Sequence, residues 1–158
     1  MTLFVSVPAV PQSVATIRHM VGAVLTECGV ADATAAEITL ALDEACANVV
    51  LHAGPVGEYE VLMVLDKDCC ELGIYDRGRG FDRLAPGFGP VGDDSDGGRG
   101  FSIMRATMDH VELSSAVEDG TVVILRKSVA LSADSVLHHC DGDGDGTAAD
   151  VLRLPLTP

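Results

Sequence analysis

The chain has no tryptophan, and only two tyrosines and four phenylalanines among its 158 residues. A core must therefore be built from Val, Leu, Ile, Ala and Met. The supply suffices, since 47% of the residues are hydrophobic, and that share excludes a wholly disordered chain. Basic residues are scarce: ten Lys and Arg face 24 Asp and Glu, for a net charge of −14. With no basic face visible, direct contact with nucleic acid is excluded. Basic protein partners remain, as do nucleotide phosphates screened by a divalent ion. No apolar run approaches the ~18 residues of a membrane-crossing helix, and no signal peptide opens the chain. The cysteines, Cys28, Cys46, Cys69, Cys70 and Cys140, are odd in number and irregular in spacing. They form no C-x-x-C clamp, and Cys46 reads as a small core residue. The pattern points to a reducing, cytoplasmic setting.

The length fits one domain, with enough chain for a core that needs no staples. "LFVSVPA" (3–9) reads as a strand ended by Pro8 and Pro11. Val14, Ile17, Val21, Val24 and Leu25 then form a helical stripe, with Gly29 as its stop. A second helix starts near Asp32 or Thr34, where Thr34 and Glu37 have capping-box spacing, and runs to about His52. Two strands follow, 59–66 and 70–76. From 77 to 100 no apolar period survives, and a functional loop of roughly two dozen residues is expected there. Helical spacing resumes with "FSIMRATM", and "DHVELSSAVEDGTVVILRKS" reads as a hairpin turning at "EDG". This order, β α α β β loop α β β, predicts an α+β two-layer sandwich: a mostly antiparallel sheet covered on one face by helices. From Ser128 the chain reads as an acidic tail. Its "DGDGDGTAAD" superficially resembles a calcium loop, but Leu152 stands where that loop needs a bidentate carboxylate.

Three stations carry chemistry. In "ALDEACANVVLHA", Glu44, Asn48 and His52 rise along one side of a helix, beside the buried stripe of Ala41, Ala45 and Val49. A carboxylate there could deprotonate a hydroxyl, and a neutral amide oxygen suits Mg²⁺. On this stretch alone, an amphipathic helix with ordinary boundary polar residues explains the pattern as well. In "IYDRGRGFD", Asp76 ends a strand and could accept a hydrogen bond from an exocyclic amine such as that of adenine. Gly78 and Gly80 would let backbone approach a flat ligand, although a plain Asp–Gly turn reads the same way. The spacing is neither G-x-G-x-x-G nor a P-loop. In "DGGRGFSIM", Gly97, Gly98 and Gly100 lead into a helix whose free N–H groups could hold an anion, with Arg99 adding charge; a flexible linker is the alternative.

Taken in order, the stations resemble the boxes of the GHKL, or Bergerat-fold, ATP-binding domains. The resemblance is strongest to the small anti-sigma-factor serine kinases. "EACANVVLHA" is similar to their N box, "DRGRGF" to their G1 box, "GGRGFSIMRATMDHVEL" to their G2 segment, and "DGTVVILRK" to their later strand with a Gly-Thr pair. The resemblance implies a kinase domain over 1–127 with an ATP lid at about 82–97, and the acidic tail over 128–158 lies outside it. It implies Glu44 as general base and Asn48 as the ligand of Mg²⁺. It places Asp76, Gly78, Gly80, Phe81 and Thr121 around adenine, and Gly98, Arg99, Gly100 and Phe101 toward the phosphates. The partners it implies are a sigma factor and an anti-anti-sigma antagonist of the STAS type. It also makes a homodimer one of the expected assemblies. The expected activity is ATP-dependent phosphorylation of a protein serine. The alternative is a non-catalytic module that uses ATP to sequester a partner. One departure matters: relatives carry an arginine shortly before the G2 glycines, where this chain has Asp94 and Asp96. Either Arg99 or Arg105 compensates, or the lid swings away.

Overall fold

The computed structural model describes residues 1–52, 57–77, 96–116 and 120–139. The element order is β1 (Thr2–Pro8), α1 (Pro11–Glu27), α2 (Asp32–His52), β2 (Glu58–Leu65), β3 (Cys69–Asp76), α3 (Asp96–Thr107), β4 (His110–Ala116), β5 (Gly120–Ser128) and a 3₁₀ turn at Val136–His139. The strands form one sheet in the order β1-β2-β3-β5-β4, and every pairing is antiparallel. The expected α+β sandwich is therefore the observed architecture.

Alternation along the strands decides which face the helices cover. Val61, Met63 and Leu65 of β2, Leu72 and Ile74 of β3, and Val123 and Leu125 of β5 point to one side. Against them pack Ile17, Val21 and Leu25 of α1, Ile38, Leu42, Ala45 and Val49 of α2, and Met104 of α3. Each fully buried aliphatic side chain of this kind contributes about 1.5–3 kcal/mol relative to exposure. Helix α2 lies between α1 and α3, touching both, and it also rests on β3 and β5. Its position makes it the element from which polar side chains can meet both α3 and the sheet.

Local chemistry sets the helix ends. Pro11 opens α1, where its missing N–H costs nothing. Gly29 closes it with a φ of 79°. The Gly29 amide bonds to the Thr26 carbonyl and the Val30 amide to the Leu25 carbonyl, both at 2.9 Å, which is the Schellman arrangement. Lys127 gathers the far ends of two helices. Its ammonium donates to the Thr107 carbonyl at 2.6 Å and pairs with Glu37 at 2.7 Å, so β5 holds the end of α3 beside the start of α2. On the uncovered face of the sheet, Arg126 pairs with the buried carboxylate of its cross-strand partner Glu71.

The structure departs from the sequence expectation at two places. Helix α3 begins at Asp96, several residues before the "FSIM" stretch, so Gly97, Gly98 and Gly100 lie inside the helix rather than ahead of it. Glycine hides the helical period because it contributes no apolar side chain to count. The second departure concerns the chain after Ser128. Residues 129–139 are packed: Val129 and Leu137 are buried, Ser132 donates to the Gly29 carbonyl at 2.8 Å, and Ser135 Oγ donates to the Cys28 carbonyl at 2.6 Å. Part of the segment after Ser128 thus packs on the loop that follows α1. The calcium-like stretch beyond residue 140 lies outside the described residues.

Candidate active site

Residues Glu44 and Asn48 stand one turn apart on α2, both half-buried. They face the first turns of α3. A Cβ placed on Gly100 would lie 2.8 Å from Glu44 Oε2 and 3.7 Å from both Asn48 Oδ1 and Asn48 Nδ2. At Gly100, α3 thus approaches the polar side of α2 with a residue that has no side chain. Neither Glu44 nor Asn48 makes a hydrogen bond or ion pair among the described residues. Two polar side chains with no partner among the described residues, beside a helix start, suit a ligand that brings its own polar atoms.

Asp76 and Thr121 form the second group. They are cross-strand partners at the ends of β3 and β5, and Asp76 is 2% exposed. The alternation that turns Ile74 and Val123 toward the helices also turns Asp76 and Thr121 that way. On its other side Asp76 is partnered by Tyr59 of β2. The Tyr59 hydroxyl shares a hydrogen bond with Ser13 Oγ at 3.0 Å and lies beside the Cys46 thiol of α2. Cys46 lies between Glu44 and Asn48 in sequence, so the row Tyr59–Asp76–Thr121 sits beneath the stretch of α2 that carries them. Burial pushes the Cys46 thiol up to about 12 and raises the Tyr59 hydroxyl as well, so both stay neutral and serve the core.

Gly120 completes this corner. Its φ is 86°, and a Cβ there would overlap the Asp76 carbonyl oxygen and lie 2.9 Å from the carbonyl carbon. Only glycine lets β5 begin this close to the end of β3. Sequence reasoning treated Gly120 as a turn residue. The "DGT" signal was present, but its contact with the Asp76 backbone depends on strand order.

The remaining expected residues divide. Gly98 lies in the first turn of α3, where backbone N–H groups have no partner inside the helix. Arg99 is exposed beside it. Phe101 is partly buried against the core, and Arg105 stacks over its ring at 5.6 Å from the centroid. Arg105 belongs to the last turn of α3, about 13 Å along the axis from Asp96. Gly78, Gly80, Phe81, Asp94 and most of the expected lid lie outside the described residues. The structure thus brings together Glu44, Asn48 and Gly100 on one side, and Asp76, Thr121 and Gly120 on the other, with α2 over both.

Residues 7–127 match the model of the histidine kinase-like ATPase domain family. This chain belongs to that family. Membership implies the use of ATP. The serine-protein kinase RsbW of Halalkalibacterium halodurans is 31% identical over 150 residues, spanning 89% of this chain and 90% of that protein. The RsbW of Bacillus pumilus is 30% identical over 134 residues, 77% of this chain and 82% of its own length. An anti-sigma F factor of Heyndrickxia coagulans is 32% identical over 98 residues, 57% of this chain and 67% of that protein. Among solved structures, the RsbU and RsbW domains of a Mycobacterium tuberculosis protein superpose with a TM-score of 0.64 at 18% identity. That match covers 86% of this chain and 34% of the other, and it shows the shared fold. No described helix of this family member is long and apolar enough to cross a membrane.

Proposed function

We propose that this protein is an anti-sigma serine kinase, which holds a sigma factor and uses ATP with Mg²⁺ to phosphorylate a STAS-type antagonist. The observation that carries the reading is the approach of α3 to Glu44 and Asn48 at Gly100, which puts a base candidate beside a helix start suited to phosphate. Relatives named as serine-protein kinases along most of the chain support it.

Each residue then has a task. The N–H groups at the start of α3 and the Arg99 guanidinium bind the phosphates. Asp76 accepts the adenine amine, with Thr121 beside it. Asn48 offers the protein's oxygen ligand for the metal. A lone amide fits Mg²⁺, which takes few protein ligands and fills its shell from phosphates and water. Among the described residues no cluster of three or more His, Cys, Asp or Glu offers a cage instead. When bound, the ion neutralises phosphate charge and polarises the terminal phosphoryl group. Glu44 takes the proton from the antagonist's serine hydroxyl as its oxygen bonds to the terminal phosphorus and the bond to the ADP oxygen breaks. The serine phosphate gains about two negative charges and is repelled by a chain of net charge −14, which favours release.

The test is transfer of label from ATP to a cognate antagonist by the wild type and by Glu44→Gln. Loss of a general base lowers transfer by about 100-fold or more. ATP affinity, read by calorimetry, stays within about threefold, because Glu44 is not assigned a contact that holds ground-state nucleotide. Equal transfer by the variant would remove Glu44 from the mechanism. No transfer by the wild type, together with ATP-dependent capture of the partner, would establish the sequestering alternative.

A further inference from the structure

Two glycines of α3 are alike in sequence context and unlike in place. Helix α3 starts at Asp96, so its free amides fall on Asp96, Gly97 and Gly98. The Gly100 amide comes one turn later and is directed to the Asp96 carbonyl within the helix ladder. Gly100 is buried, and it points at α2.

What it meets there is selective. A Cβ at this position would stand 2.8 Å from Glu44 Oε2, closer than real Cβ atoms come, but 3.7 Å from the two Asn48 amide atoms, an ordinary contact. The one atom that must give way is the end of a flexible side chain, so an added methyl displaces the carboxylate and leaves the helices in place. Gly22 of α1 behaves differently: its added Cβ meets only Thr39 Cγ2, at 3.7 Å. Glycine is a poor helix former, and at Gly22 no close contact demands it. At Gly100 the close contact is the carboxylate itself.

We propose that Gly100 is a positioning residue for Glu44: the bare backbone of α3 forms the seat of the carboxylate and fixes where the base stands. The proposal rests on the reading of Glu44 as the base. It assigns Gly100 a role apart from nucleotide binding.

The test is a cycle of Gly100→Ala, Glu44→Asp and the double variant, with Gly22→Ala as a control, all in the full chain. Gly100→Ala folds and binds ATP within about threefold of the wild type, but its kcat falls about 10–100-fold, the cost of a misplaced catalytic group. In the Glu44→Asp background the shorter side chain withdraws from the added methyl. Gly100→Ala then costs about twofold or less, a non-additivity expected only of groups in contact. The carboxyl ¹³C resonance of Glu44 moves in Gly100→Ala and stays in place in Gly22→Ala. An equal loss of kcat in both backgrounds would overturn the proposal, and so would an unmoved resonance. A loss confined to ATP affinity would return Gly100 to phosphate binding. The resonance is independent of turnover, so it still decides the proposal if Glu44→Gln transfers normally and the base assignment itself fails.

Discussion

Replacing Gly120 with alanine tests how the end of β3 and the start of β5 are joined. The backbone there has a φ of 86°, a left-handed conformation that costs a side-chain-bearing residue about 1–2 kcal/mol. The methyl would also overlap the Asp76 carbonyl oxygen and lie 3.0 Å from Arg77 Cα. Both are backbone atoms, at and just after the end of a paired strand, so neither can swing aside as a side chain could. Overpacking of this kind adds about 1–3 kcal/mol. The sum, about 2–5 kcal/mol, is a large part of the 5–15 kcal/mol that holds a typical domain folded. Urea unfolding followed by circular dichroism should show the midpoint falling by about 1–2.5 M, at a slope of about 2 kcal/mol per M. Because the displaced carbonyl belongs to Asp76, ATP affinity should also drop in whatever fraction remains folded. Gly22→Ala is the matched control: its contact is loose, and it should gain about 0.5–1 kcal/mol from helix propensity. If the two variants unfold at midpoints within about 0.3 M of each other, the argument from backbone conformation and contact is wrong.

Alkaline pH should unfold the protein earlier than its acidic composition suggests. Burial pushes the thiols of Cys46 and Cys70 up to about 12, against about 8.5 in an unfolded chain. Above pH 9 the unfolded state therefore binds fewer protons than the native state, and stability falls by about 1.4 kcal/mol per pH unit for each thiol until pH 12. Denaturant midpoints between pH 8 and 11 check this, and a flat profile would contradict it. Lys127 adds to the same trend. Its bond to Glu37 raises the ammonium, so its contribution is intact below the unfolded lysine value and is lost as pH rises through the folded one. Lys127→Met should cost about 1–3 kcal/mol by freeing the Thr107 carbonyl and leaving Glu37 without its partner. Hydrogen exchange should then rise at the end of α3; unchanged exchange there would show that Lys127 does not hold that end.

Much of the fold is legible in the residues alone. The apolar stripes of α1 and α2 and the alternation in β2 and β3 are periodic, and the observed elements lie within a few residues of the expected ones. Glu44 and Asn48 are legible for the same reason, since spacing of four on a helix is a local property. Pairings between distant residues are not local. Nothing in "YDRGRGFD" or "EDGTVV" says that Asp76 will face Thr121, or that Gly120 must press on the Asp76 carbonyl; the insertion of β5 between β3 and β4 decides both. Phe101 reads like part of a ligand loop until α3 is seen to turn it against the core. Residues 129–139 read as tail until Ser132 and Ser135 are seen to bond to the carbonyls of Gly29 and Cys28.

By itself, then, the sequence determined which segments could be helix or strand and which polar side chains could share a helix face. Those choices follow from steric and hydrophobic preferences that act over a few residues. That Gly100 meets Glu44 and that Asp76 meets Thr121 follows from how the elements pack and pair. Those contacts join segments more than forty residues apart, and they arise when the buried faces of α2, α3 and the sheet close on one another to exclude water.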